Sequence, residues 1–186
     1  MDRTAELRWF FRQPPARALS DAFNAAGPPE TRSDCYLVLP ETDALGVKVR
    51  GGTTSLEFKL RAHPGRSIDL PSGASGQLEE WQKWSFGRSP LSRVAPRLGL
   101  PKHRWIEVVK HRRTLTVPYR DGSGCTVELT ALEAPGTSST TLGFEAFGTP
   151  ADLVPALESA TKVFFASVEL PEAELSCGYP GWLATL

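Results

Sequence analysis

The sequence predicts a mainly β (α+β) fold, built from eight short antiparallel strands with one C-terminal helix packed outside them. Three observations predict it. Apolar and polar residues alternate with period two in segment after segment. Gly and Pro number 16 each and punctuate those segments. Near the C-terminus, Leu153, Leu157, Ala160 and Phe164 form an apolar stripe at helical spacing.

In chain order the predicted strands are Glu6 to Arg12, Asp34 to Leu39, Gly46 to Arg50, Ser55 to Arg61, Gln77 to Phe86, Arg104 to Tyr119, Thr126 to Leu132 and Thr141 to Phe147. Pro40 ends the second. Gly51-Gly52 separates the third and fourth, a hairpin signal. Asp121-Gly122-Ser123-Gly124 turns the sixth into the seventh. A short helix is expected over Ala16 to Ala26, before Gly27-Pro28-Pro29, and a longer one over Ala151 to Ala166. Thr149 is the expected N-cap and Pro150 the first helical residue. Pro155 is expected in the second turn, where it would kink the helix. Residues from Ser89 to Pro101 read as a loop with a helical turn. The tail from Pro171 reads as irregular, docked by Tyr179, Trp182 and Leu183. Eight short strands with tight turns fit a closed barrel or a sandwich.

With 186 residues, 40% apolar and 23% charged, the chain reads as one domain over 1–186 with a packed core. Basic and acidic side chains number 21 each, so no chain-wide attraction to nucleic acid or an anionic membrane is indicated. An anion site must therefore come from local sorting of charge. No apolar run approaches the length of a membrane span. Cys35, Cys125 and Cys177 are an odd, widely spaced set, which argues against a disulfide framework and points to a reducing cytoplasm.

The alternation sorts charge. Lys48 and Arg50 share one face of their strand, as do Glu57, Lys59 and Arg61 on the next. Glu6 and Arg8 oppose Leu7 and Trp9. Lys110 and Arg112 share a face, and Glu128, Thr130 and Glu145 follow on the last two strands. Lys83, on the face of Glu79 and Trp81, joins the basic set. Such a face is either solvated or turned into a barrel. Buried charges of one sign are too costly, so an inward face needs both signs. Both recur on these strands. Arginines and lysines tied to glutamates, with donors to spare, would bind a polyanion through charge-assisted hydrogen bonds.

Other chemistries have less support. His63, His103 and His111 share no metal spacing, and there is no G-x-S-x-G nucleophile motif and no phosphate-binding G-x-x-x-x-G-K-[ST] loop. Trp81, Trp84 and Trp105 read as core or rim packing. No RRM- or KH-like motif supports RNA binding.

The pattern resembles the CYTH superfamily, the triphosphate tunnel metalloenzymes. That family opens with an alternating Glu-x-Glu-x-Lys strand, where this chain has Thr4-Ala5-Glu6-Leu7-Arg8. GVKVRGG and SLEFKLRA resemble its basic hairpin, VVKHRRTLTV its Lys-x-Arg strand, and CTVELTAL and TLGFEAFG its late acidic strands. The resemblance implies an eight-stranded antiparallel tunnel and a substrate that is a phosphate-rich small molecule or polyphosphate. It implies that Arg8, Lys48, Arg50, Lys59, Arg61, Lys110 and Arg112 hold phosphate oxygens. It further implies that Glu6 and Glu145 bind Mg²⁺ or Mn²⁺, with Glu57 and Glu128 as helpers. Family members hydrolyse triphosphates or cyclise ATP. Thr4, Thr130 and Phe147 stand where the family has acids. The alternative is a non-catalytic phosphometabolite-binding or protein-interaction module that kept the tunnel and lost part of the metal site.

Overall fold

A computed structural model describes residues 2–12, 17–51, 55–70, 73, 75–87 and 104–186. Its strands are β1 (Asp2–Phe11), β2 (Glu30–Val38), β3 (Leu45–Arg50), β4 (Ser55–Arg61), β5 (Arg66–Asp69), β6 (Ser75–Phe86), β7 (Arg104–Arg120), β8 (Ser123–Ala134), β9 (Thr137–Phe147) and β10 (Leu175–Ser176). The helices are α1 (Arg17–Asp21), α2 (Leu153–Phe165) and α3 (Tyr179–Leu183), with a 3₁₀ turn at Asn24–Ala26.

The strands run β1-β9-β8-β7-β2-β3-β4-β6, and β6 pairs back onto β1 through Thr4↔Trp81 and Glu6↔Glu79. All these pairings are antiparallel, so eight strands close on themselves. Closure gives the edges of the sheet partners. Two short strands are added to it: β5 on β6 and β10 on β1. The sequence reading missed both, since runs of four and two residues carry too little alternation to register.

Alternation along each strand makes two environments. The outer face of β1, β8 and β9 carries Leu7, Trp9, Val127, Leu129, Leu142 and Phe144, and α2 covers it with Leu157, Ala160, Phe164 and Phe165. The inner face is divided. Towards one end it is apolar, with Phe10, Tyr36, Val38, Ile106, Val108 and Leu132 closed by Trp182 and Leu183 of α3. Phe10 stacks on Trp182 at 5.3 Å between ring centroids. The barrel is thus plugged at that end, and the remaining interior is a charged well.

Helix α2 starts later than predicted. Asp152, not Thr149, is the N-cap residue, and the Thr149 hydroxyl donates to its carboxylate at 2.7 Å. Pro155 consequently falls in the first turn, where its missing N–H costs no intrahelical bond. The tail is not wholly irregular, since it forms β10 and α3, and its docking residues Trp182 and Leu183 are buried as expected. Ala16, Gly52, the segment 89–101 and His103 lie outside the described residues. Among the described residues no helix is long and apolar enough to cross a membrane.

Candidate functional site: a charged well in the barrel

The charged part of the interior is a cavity of about 340 Å³. Apart from Phe58 of β4, each strand of its wall sends in side chains of one parity. Glu6 and Arg8 come from β1, Arg32 and Tyr36 from β2, Lys48 and Arg50 from β3, and Glu57 and Lys59 from β4. Lys83 comes from β6, Lys110 and Arg112 from β7, Thr126 and Glu128 from β8, and Gly143 and Glu145 from β9. Tyr179 and Pro180 of α3 close it. Eight basic side chains face four acidic ones, and the buried carboxylate of Asp34 behind them brings the formal excess to three positive charges.

The acids organise the cations. Glu128 lies between two guanidiniums, Arg8 at 3.0 Å and Arg112 at 2.6 Å. Asp34, with no exposed surface, gathers Arg32, Lys110 and Lys48 at 3.4, 3.4 and 3.5 Å. Glu57 takes Arg50 at 3.0 Å, Lys48 at 3.2 Å and Lys83 at 4.0 Å. The Lys59 ammonium donates to Glu6, which also accepts from the Thr4 hydroxyl at 2.7 Å. Glu145 is the register partner of Glu6 across β1 and β9.

Protonation follows from these contacts. Burial works against the Arg8 charge, but Tyr179 and the carboxylates of Glu128, Glu6 and Glu145 outweigh it and raise its pKa. Burial alone would raise Glu128, yet Arg8, Arg112 and Lys110 hold it far below the usual carboxylate range. Lys59 lowers Glu145, and Glu6 and Glu145 raise Lys59 against its burial. Lys110 goes the other way. Burial, reinforced by Lys48, pushes it well below an ordinary lysine despite Asp34 and Glu128. Burial lowers Lys48 too, against Asp34 and Glu57, so the well holds fixed cations and two ammoniums with a loosened proton, Lys110 the more so.

Of the residues singled out from sequence, Glu6, Arg8, Lys48, Arg50, Glu57, Lys59, Lys83, Lys110, Arg112, Glu128 and Glu145 all line this one cavity. Arg61 does not. It lies at the plugged end and pairs with Asp43 at 2.7 Å and Glu79 at 2.9 Å. His111 faces Thr31 on the exposed side, and Trp81 is buried in the wall beneath Lys59 and Arg61. Sequence reasoning missed Asp34, Arg32, Tyr36 and Tyr179. The first three lie on β2, whose inner parity (Arg32, Asp34, Tyr36) carries the same mixed-sign signal as its neighbours. Tyr179 comes from the tail, where no strand parity applies. Its ring stacks on Tyr36 at 5.7 Å and carries Lys110 Nζ 3.9 Å from its centroid and Arg8 at 4.7 Å. Its hydroxyl has no hydrogen-bond partner among the described residues.

The acids do not form a metal cage of their own. Among the described residues no group of three or more His, Cys, Asp or Glu side chains is placed to hold an ion. Glu57 and Glu128 are saturated by the cations around them. Glu6 and Glu145 remain as an adjacent pair. Magnesium-type ions are often held by one or two carboxylates, with phosphates and waters supplying the other oxygens. Glu6 and Glu145 could supply that share of an ion's oxygens, with the rest coming from an anion and water.

No protein-family model matches the chain, and no curated protein matches it. Solved structures do share its fold. The RNA triphosphatase domain of a trifunctional mimivirus mRNA capping enzyme superposes with a TM-score of 0.56 at 11% identity, covering 91% of this chain and 89% of that one. A second structure of the mimivirus capping-enzyme triphosphatase gives 0.56 at 11%, over 89% of each chain. A conserved hypothetical protein from Pyrococcus furiosus gives 0.54 at 15%, over 89% and 94%. The closed eight-stranded antiparallel barrel is the architecture that the sequence resemblance implies. At these identities the likeness is one of fold, and the chemistry rests on the well itself.

Proposed function

We propose that the well binds the triphosphate portion of a phosphate-rich small molecule or polyphosphate, and that it hydrolyses a phosphoanhydride bond when Mg²⁺ or Mn²⁺ is bound. One observation carries the reading: a barrel interior in which basic side chains outnumber the acids that pair with them, Asp34 included. A triphosphate is strongly anionic, with up to roughly four negative charges as an ester and roughly five as free tripolyphosphate, so it complements the net positive charge of the well. Arg8, Lys48, Lys59, Lys110 and Arg112 neutralise it through charge-assisted hydrogen bonds. Glu128, Asp34 and Glu57 keep those donors in fixed positions, so little reorganisation is needed as charge builds during reaction. The metal, held by Glu6 and Glu145, would polarise a phosphoryl oxygen. The plugged end and the packed walls restrict water around the anion.

The three cysteines are unbonded thiols, which supports the reducing cytoplasm as its compartment.

The test is a titration of the purified chain with tripolyphosphate, with and without Mg²⁺ or Mn²⁺, followed by an assay of phosphate release. Binding at a hundredfold excess over the dissociation constant should stabilise the fold by about 2.7 kcal/mol. Arg112→Ala and Lys48→Ala should each weaken binding. No thermal shift with any triphosphate would refute the reading. Binding without phosphate release would leave an anion-binding module and remove the hydrolysis.

A further inference from the structure

Tyr179 reaches the well from the C-terminal tail, and its place is tightly defined. Strand β10 pairs with β1 through Trp9↔Ser176 and Phe10↔Leu175, and the Cys177 amide donates to the Arg8 carbonyl at 3.1 Å. The strand that aims Arg8 therefore also anchors the tail. Both neighbours of Tyr179 are wedged against the barrel. A Cβ at Gly178 would lie 2.7 Å from a Glu79 carboxylate oxygen and 2.9 Å from the Trp81 ring, and one at Gly46 would lie 3.2 Å from Pro180. The Tyr179 ring stacks on Tyr36 with 14° between the planes and meets Phe10 edge-on at 5.8 Å. Backbone and ring are both held.

The residue lines the well, yet its hydroxyl is buried and meets no donor or acceptor among the described residues. Tyr36 differs, since its hydroxyl accepts from Lys110 and faces Asp34. Burial raises the Tyr179 pKa against Arg8 and Arg112, so the group keeps its proton at neutral pH. Those two arginines, with Glu128 and Asp34, are the charges that act on it most. The hydroxyl is thus a fixed donor without an acceptor, placed among the cations. Buried polar groups normally have a partner, and a phosphate oxygen held by Arg8 and Arg112 would supply one.

We infer that the Tyr179 hydroxyl donates a hydrogen bond to the bound anion, which makes the C-terminal tail part of the site. This rests on the anion reading above and adds an uncharged residue to it. Lysine and arginine attract an anion over distance, whereas a hydroxyl acts only on an oxygen within hydrogen-bond reach. Tyr179 therefore fixes where the anion stops in the well without adding to the charge that draws it in.

Calorimetric titration of the full chain with tripolyphosphate, at low and at high salt, tests this on Tyr179→Phe and Arg112→Ala. Tyr179→Phe keeps the ring and its stacking. It should bind roughly tenfold more weakly than wild type, the size of one hydrogen bond to a charged group, and by the same factor at both salt concentrations. The Arg112→Ala deficit should shrink as salt rises, because it includes a lost charge that ions screen. The anion-free Tyr179→Phe chain should melt no lower than wild type, because no described residue bonds to the hydroxyl. Wild-type affinity in Tyr179→Phe would overturn the inference while the anion site stands. A deficit that shrinks with salt would overturn it too, since the effect would then run through Arg8 or Lys110. So would a lowered melting temperature, which would make the hydroxyl structural. If the wild-type chain binds no tripolyphosphate, the inference and the anion reading both fall.

Discussion

Arg8 and Gly143 are register partners on β1 and β9, and a Cβ at position 143 would lie 2.6 Å from the Arg8 guanidinium carbon. The guanidinium thus occupies the space that a side chain on β9 would take. Its place is fixed by Glu128 on the far side of that glycine, at 3.0 Å. Backbone and ion pair together aim Arg8 into the well.

Gly143→Ala should therefore act as an Arg8 variant. The added methyl displaces the guanidinium from Glu128, at a cost of about 1–3 kcal/mol for overpacking a tight interior. Tripolyphosphate affinity should fall alongside the melting temperature. A folded Gly143→Ala chain with wild-type affinity would show that Arg8 has another route to the anion.

Glu128 separates two guanidiniums, so Glu128→Gln should leave both short of a counter-charge. Breaking a buried pair from one side costs about 3 kcal/mol. The pH dependence has a definite sign. The folded carboxyl is held below its ordinary value of 4.5 by Arg8 and Arg112 against its burial. Its stabilisation is complete above the unfolded pKa, roughly 4.3, and is lost as pH falls through the folded value. The gap in melting temperature between wild type and Glu128→Gln should be flat above about pH 5 and shrink below about pH 4. A gap that widens towards acid would contradict the assignment.

Lys110 titrates in the opposite sense. Burial and Lys48 favour its neutral form in the empty well, and a polyanion beside it favours the ammonium. Binding should then take up a proton between the two pKa values, and affinity should fall as pH rises through that window. Titrations in two buffers of different ionisation enthalpy would reveal the uptake, and Lys110→Arg, permanently charged, should reduce it to the share of Lys48, which burial also lowers. Identical heats in both buffers would refute the coupling.

Much of this was legible before the fold was known, because parity is local. Residues two apart share a face whatever the sheet does, so Lys48 with Arg50, Glu57 with Lys59 and Lys110 with Arg112 were grouped correctly from sequence. What parity cannot give is depth along the barrel. Arg61 shares the face of Glu57 and Lys59, yet two residues further along it has left the well for Asp43 and Glu79. Nor does parity show which end is closed. That depends on Trp182 and Leu183 docking on Phe10 and Leu132, a contact between chain ends. Tyr179 was hidden for the same reason.

The last relationship concerns competition for Glu6. The Lys59 ammonium donates to that carboxylate, and Glu145 is its register partner on β9. A divalent ion on the pair must displace this ammonium or share the carboxylates with it. Lys59→Met removes the competitor and leaves two neighbouring carboxylates with less compensation. Mn²⁺ should then bind the anion-free chain roughly tenfold more tightly, the effect of removing one nearby positive charge at moderate effective dielectric. Tripolyphosphate should bind more weakly, since a phosphate donor is lost. Electron paramagnetic resonance of unbound Mn²⁺ measures the first effect and calorimetry the second. Adding Glu145→Gln to Lys59→Met should reverse the gain in Mn²⁺ affinity. If Lys59→Met leaves Mn²⁺ binding unchanged, Glu6 and Glu145 are not the metal ligands, and the anion site must be read as one served by its own cations.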